Sequence, residues 1–267
     1  MTEAIGLFVS TVLLRPYVFL FLVLYLWAAH AAMGWRRTAL FTGTAWTVAL
    51  AAEYSSTRNG FPFGFYSYIP ATNGRELWIS NIPFMDSLSF TFLAYVSFAL
   101  AQYLRLSPGA GKREAVALRR SPHVLWLGAF LFMLIDVVID PLALRGDRWF
   151  LGKIYEYPNP GIYFGVPLSN FLGWGLVGLV TIGLFQRVDR ALPEGLPSGR
   201  GLTPILLGGL LYYVILLFNL SMTFVIGEHR LGVGGILLYA PVTWQFVRRW
   251  WRLSAIHGLV SKGAMST

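Results

Sequence analysis

Seven runs of apolar residues, each close to the roughly 20 residues a helix needs to span a bilayer, divide the chain. They cover 16 to 33, 38 to 54, 82 to 105, 122 to 141, 165 to 186, 203 to 226 and 232 to 247. Each predicts a helix, and seven transmembrane spans is the simplest count. Six or eight remain open, because some runs are short or carry Gly and Pro. The stretch from Ile5 to Leu14 either lengthens the first span or lies in the interface. The leading MTEAIGLF carries an acid where a signal peptide has a basic region, and no small-residue cleavage site follows, so a retained segment is expected. The expected fold class is all-α: a single transmembrane domain over 1–267, a polytopic integral membrane helix bundle with two long aromatic loops on its outer side.

The polar positions between the runs set the expected orientation. Assigning alternate loops to opposite sides collects Arg36, Arg37, Arg105, Lys112, Arg113, Arg119, Arg120, Arg187, Arg190, Arg200, Arg248, Arg249, Arg252 and Lys262 on one side. Arg15, Arg58, Arg75, Arg145, Arg148, Lys153 and Arg230 fall on the other. The 14 to 7 split places the first set in the cytoplasm. The N-terminus is then outside and the C-terminus inside the cell (cytoplasmic) membrane. Composition agrees: hydrophobic residues are 56% of the chain, charged residues 12%, and mean hydropathy is +0.59. The net charge of +9 sits in short loops rather than in a stripe, so no nucleic-acid partner is expected.

Two loops on the outer side depart from the composition of solvated linkers. One runs from Ser55 to Pro83 and contains NGFPFGFYSYIP and NIPFMD; the other runs from Ala143 to Pro167 and contains GDRWF and YEYPNPGIYFGVP. Rich in Gly, Pro and aromatics and poor in charge, both are expected to fold back as a lid over the bundle. Each follows an acid-bearing span and ends in an apolar-Pro step, Ile82–Pro83 or Val166–Pro167, the mark of a worn internal repeat.

Four acids lie within or beside apolar runs: Glu53, Asp86, Asp136 and Asp140. A carboxylate in hydrocarbon costs roughly 2.5 to 3.5 kcal/mol on insertion scales and is seldom kept there without a use. Asp136 and Asp140 stand one helical turn apart on a common face, so both cannot ionise cheaply and one is expected to hold a proton. A structural alternative for Asp140 is to end the helix before Pro141 and pair with Arg145 or Arg148. For Glu53 the alternative is a surface ion pair with Arg58, and for Asp86 a favourable place in the first turn of a helix. Asn170 is an intramembrane amide that either positions a water or bonds a neighbouring backbone.

Aromatic residues make up 16% of the chain. Trp35, Trp250 and Trp251 suit an interfacial belt. Phe61, Phe63, Phe65, Tyr66, Tyr68, Trp149, Tyr155, Tyr157, Tyr163 and Phe164 crowd the two loops more densely than a belt needs. Ring faces attract cations and offer no nucleophile to quench them, so an acid beside such rings suits protonation of an alkene. With no cysteine, no His pair at metal-ligand spacing and no nucleotide-binding loop, no metal and no cofactor are expected. DVVID is apolar between its ends and lacks the further loop acids of a magnesium diphosphate site.

Glu53 with NGFPFGFYSY, and IDVVIDPLALRGDRWF continuing into YFGVPLSNFLGW, resemble the membrane-embedded carotenoid 1,2-hydratase family. The resemblance covers roughly residues 50 to 175, and the second motif is the more specific. It implies a cofactor-independent hydro-lyase that adds water across the C1–C2 double bond of an acyclic carotenoid end group. Its partners would be a long apolar isoprenoid of the lycopene or bacterioruberin-precursor type, water, membrane lipid and other carotenoid-pathway enzymes. Joined to the residue chemistry, Asp136 is expected as general acid with Asp140 as its partner, and Glu53 with Asn170 as the groups that orient or deprotonate water. Tyr66, Trp149, Tyr163, Phe63 and Phe164 are expected to line the cation pocket, with Asp86 on the substrate side. The rival readings are a membrane isoprenoid cyclase, in which a second alkene captures the cation, and a non-catalytic carotenoid or lipid carrier.

Overall fold

The structure is a computed structural model describing residues 2–107, 110–193 and 203–263, with side chains from 3 through 252. Arg200 and the side chains of His257 and Lys262 lie outside the described residues. The helices follow in the order α1 (Thr2–Leu14), α2 (Pro16–Met33), α3 (Trp35–Asn59), α4 (Phe84–Arg105), α5 (Lys112–Arg119), α6 (Pro122–Ala143), α7 (Leu168–Ala191), α8 (Thr203–Val225) and α9 (His229–Gly263).

All seven apolar runs fall in helices, and among the described residues five of these, α2, α4, α6, α7 and α8, are long and apolar enough to cross a membrane. Five of the seven expected spans thus meet both conditions among the described residues. In α3 the threonines Thr38, Thr42, Thr44 and Thr47 and the acid Glu53 dilute the apolar face, and in α9 Arg248, Arg249 and Arg252 do so. The expected starts at 82 and 165 also shift, because Ile82–Pro83 and 165–167 belong to the loops and the helices begin after each proline.

The core is built around α4, which is buried along most of its length and packs against α2, α3, α6 and α8. A helix that is apolar all round must be enclosed by others, and FTFLAYVSFALA is such a stretch. Small residues let the neighbours approach closely. A side chain at Gly178 of α7 would meet Phe132 at 3.0 Å and the Ala129 backbone at 3.1 Å, both on α6.

Charge is segregated to the two ends. At one end Asp189 of α7, its side chain fully enclosed, receives Arg37 Nε at 2.6 Å, Arg119 Nε at 3.0 Å and Arg120 Nε at 2.9 Å, tying α3 and α5 to α7. The other end carries the two loops. The first is now 60–83, since α3 continues to Asn59 and stops at Gly60 in the left-handed region (φ +83). The second is 144–167. They are stitched together by a two-residue antiparallel pair, β1 (Ser67–Tyr68) with β4 (Tyr155–Glu156), while β2 (Trp78–Ile79) pairs with β3 (Ile82–Pro83). Arg15, 2% exposed, pins this cap by meeting Glu76 at 3.3 Å and the Leu151 carbonyl. Arg145 and Arg148 pin it to the turn between α8 and α9 by sharing Glu228.

Candidate active site

The paired loops form the roof of a chamber whose floor is set by α3, α4, α6 and α7. Pro83 and Pro167 cap the starts of α4 and α7, where a missing N–H costs nothing. The third residue after each proline is polar, Asp86 in one case and Asn170 in the other, and both reach the chamber. The repeated apolar-Pro step thus delivers two equivalent side chains to one place.

On the α6–α7 side, Asn170 Nδ2 donates to Asp136 Oδ2 at 2.7 Å and to Asp140 Oδ2 at 2.6 Å. The amide's two hydrogens are thereby used on two carboxyls. Asp136 and Asp140 thus converge on a single nitrogen. Asp140 Oδ2 additionally accepts from the Tyr157 hydroxyl at 3.5 Å. Asp136 is wholly enclosed and its Oδ1 has no partner.

On the α3–α4 side, the Tyr68 hydroxyl lies 2.7 Å from Glu53 Oε1 and 2.5 Å from Asp86 Oδ2. One phenol carries one hydrogen, so two short contacts to carboxyls are both satisfied only if one carboxyl brings a proton of its own. Glu53 Oε2 is buried without a partner. Burial pushes the phenols of Tyr66, Tyr68, Tyr155 and Tyr157 above their ordinary range, keeping each a neutral hydroxyl.

Among the described residues, none of the four acids meets a cation. Arg58 turns away from Glu53 and lies over the Tyr54 ring, 3.3 Å from its centroid, while Arg145 and Arg148 take Glu228 rather than Asp140. The ion-pair readings of Glu53 and Asp140 thus find no support in the geometry. Asp86 does sit in the first turn of α4, as its helix-start reading expects, and it also faces the chamber.

The chamber is half open, with a cavity volume of about 70 Å³. Glu53, Asp86, Asp140 and Asn170 supply its polar wall, and Tyr66, Tyr68, Tyr155, Tyr157, Phe63, Phe90 and Trp174 its rings. Phe90 and Trp174 stack at 4.3 Å, and the Tyr66 ring meets those of Tyr155 and Tyr157 at 5.7 and 5.9 Å. Asp140, one turn nearer the roof, is the member of the α6 pair on the chamber wall; Asp136 stands behind it. Trp149 faces an adjoining apolar cavity. Tyr163 and Phe164 line neither; Tyr163 packs on Phe164 and Phe171, and Phe164 is exposed beside Arg145. The loop aromatics carry no mark in sequence that separates these groups. Tyr68, Tyr155 and Tyr157 stood in the same crowd, and Phe90 and Trp174 looked like ordinary span residues.

A family model for carotenoid biosynthesis proteins matches residues 11–240, which includes every helix and both loops that build the chamber. The chain belongs to that family. Within the family's reach, a bisanhydrobacterioruberin hydratase from Haloarcula japonica is 30% identical over 165 residues, 61% of this chain. The chain spans about half the length of that curated relative, 49% of it. No solved structure matches the chain.

Proposed function

We propose that this carotenoid biosynthesis protein is a carotenoid hydratase, adding water across the terminal C1–C2 double bond of an acyclic end group. The observation that carries the reading is a chamber walled by carboxyls and rings without a cation. The name of the Haloarcula japonica relative points the same way.

In the proposed reaction, the proton shared by Asp136 and Asp140 leaves from Asp140, the carboxyl on the wall, to C2 of the alkene. The C2–H bond forms from the π electrons, leaving a tertiary cation at C1. The faces of Phe90, Trp174 and Tyr66 stabilise that charge without forming a bond to it. Water attacks C1, and its second proton passes to the Glu53 side, where Oε2 is open and Tyr68 fixes the carboxyl. Asn170 positions both α6 acids. No electrons change hands, so the step needs no redox cofactor, and one proton moved from the Glu53 side back to the α6 pair restores the start. The assignment moves the donating carboxyl from Asp136, favoured by depth in sequence, to Asp140, with Asp136 as its enclosed partner.

The segregated basic residues support a cell-membrane orientation with the roofed end outward. Expression in a lycopene-producing host tests the activity. The wild type yields a pigment one water heavier than its precursor, and Asp140→Asn lowers that yield by about 100-fold or more, the scale of a lost general acid. A product of unchanged mass would mean cyclisation instead, and no product at all would leave a carrier.

A further inference from the structure

Beside the chamber lies a second, half-open cavity of about 100 Å³ between α2, α4, α6 and α8. Asp86, Ser89, Leu93, Ile139, Ala143 and Ile154 line both, so the two spaces meet at a common wall. Beyond that wall the surface is apolar: Val18, Phe21, Phe92 and Ile215 face inward, and Asn219 spends its amide on the Ile215 carbonyl at 2.9 Å. Neither cavity carries a Lys, Arg or His among its lining residues. The guanidinium behind the wall, that of Arg15, is already engaged by Glu76 and the Leu151 carbonyl, which leaves a phosphorylated or carboxylate-bearing ligand without a free counter-charge on either lining.

The far end is closed by a collar of rings. Tyr17 stacks on Phe218 at 5.9 Å and meets Phe150 at 5.4 Å, and Trp149 meets Phe150 at 4.9 Å. Tyr17, Trp149 and Phe218 are part-exposed and Phe150 is exposed. Their neighbours Leu20 and Leu217 are about as exposed, at 58% and 59%, on the outer faces of α2 and α8. The collar therefore opens onto an exposed apolar face of α2 and α8.

We infer that this cavity is the channel that takes the uncharged polyene chain of the substrate, entering end first from the bilayer between α2 and α8 through the Tyr17–Trp149–Phe150–Phe218 collar. The end group passes Asp86 and Ser89 into the acid chamber, the chain behind it lies against the rings, and the remainder stays in the lipid. This rests on the carotenoid reading above but concerns binding and route rather than the reaction. It also gives Trp149 a place along the chain instead of at the cation.

The test measures pigment held by the full-length protein purified in detergent from a lycopene-producing host. The wild type retains pigment, and Ile215→Trp, which fills the channel away from every acid, lowers pigment per protein by about tenfold or more. Phe218→Ala opens the collar and speeds loss of bound pigment on washing; it decides the matter if Ile215→Trp does not fold. A wild type without pigment, or a folded Ile215→Trp that holds as much as the wild type, overturns the channel. So does a Phe218→Ala protein that loses pigment no faster than the wild type. Pigment held by the wild type with no water ever added overturns the hydratase reading and leaves the channel standing.

Discussion

Replacing Asn170 by Leu keeps the side-chain volume and removes the one amide that holds both α6 acids. Its two bonds, 2.7 Å to Asp136 and 2.6 Å to Asp140, are short and enclosed. A bond to an ionised group contributes about 1.5–3 kcal/mol and a neutral one about 0.5–1.5, so with one proton in the pair the loss is about 2–4.5 kcal/mol. If that energy orients the donor in the transition state, the rate of water addition falls by roughly 100-fold, since about 1.4 kcal/mol is a factor of ten. If it serves only to hold α6 against α7, the whole loss appears as a lower melting temperature. The assay is hydrated pigment formed per folded enzyme in membranes, with melting in detergent measured on the same preparation. Asn170→Leu that melts lower yet hydrates within about twofold of the wild type would refute the positioning argument, because a factor of two is under 0.5 kcal/mol.

Asp189→Asn leaves Arg37, Arg119 and Arg120 without their shared carboxylate, and removing one partner of a buried ion pair costs about 3–5 kcal/mol, read as a large drop in melting temperature. Burial pushes the Glu228 carboxyl up, but bonds from Arg145 and Arg148 outweigh it and hold the group below its ordinary range. A depressed carboxyl stabilises the fold above its unfolded pKa, 4.5, and the contribution is lost as pH falls through the lower folded value. Unfolding in detergent from pH 7 to pH 3 should therefore show an acid-side loss that is absent in Glu228→Gln, with a size under about 1 kcal/mol because the pair is part-exposed. Gly173→Ala puts a methyl 2.7 Å from both the Phe63 ring and the Pro62 carbonyl, which lifts the first loop off α7 and costs about 1–3 kcal/mol in thermal stability.

The helices were legible because an apolar run of bilayer length has few ways to fold, and the runs at 16 to 33 and 203 to 226 match α2 and α8 almost residue for residue. Helix α5 was not, since KREAVALR is short, charged and held in place by what Arg119 meets on α7. The acids announced themselves by the cost of burying charge, and the four-residue spacing of Asp136 and Asp140 put them on one face. Which of the two reaches the chamber depends on the tilt of α6 under the roof, a tertiary fact. The pairing of the loops rests on four residues, 67, 68, 155 and 156, and no local signal marks two-residue strands some 90 positions apart. That pairing brings the Tyr66/Tyr68 and Tyr155/Tyr157 alternations together, whereas Tyr163, equally aromatic in sequence, is left against Phe171.

The central claim is that a carboxyl of the α6 pair protonates C2 and water captures C1. Membranes containing the wild type, incubated with lycopene in heavy water, should yield an alcohol carrying one non-exchangeable deuterium at C2, and the Asp140→Asn membranes should yield almost none. Alcohol without deuterium at C2, or full labelling by Asp140→Asn, would contradict the account.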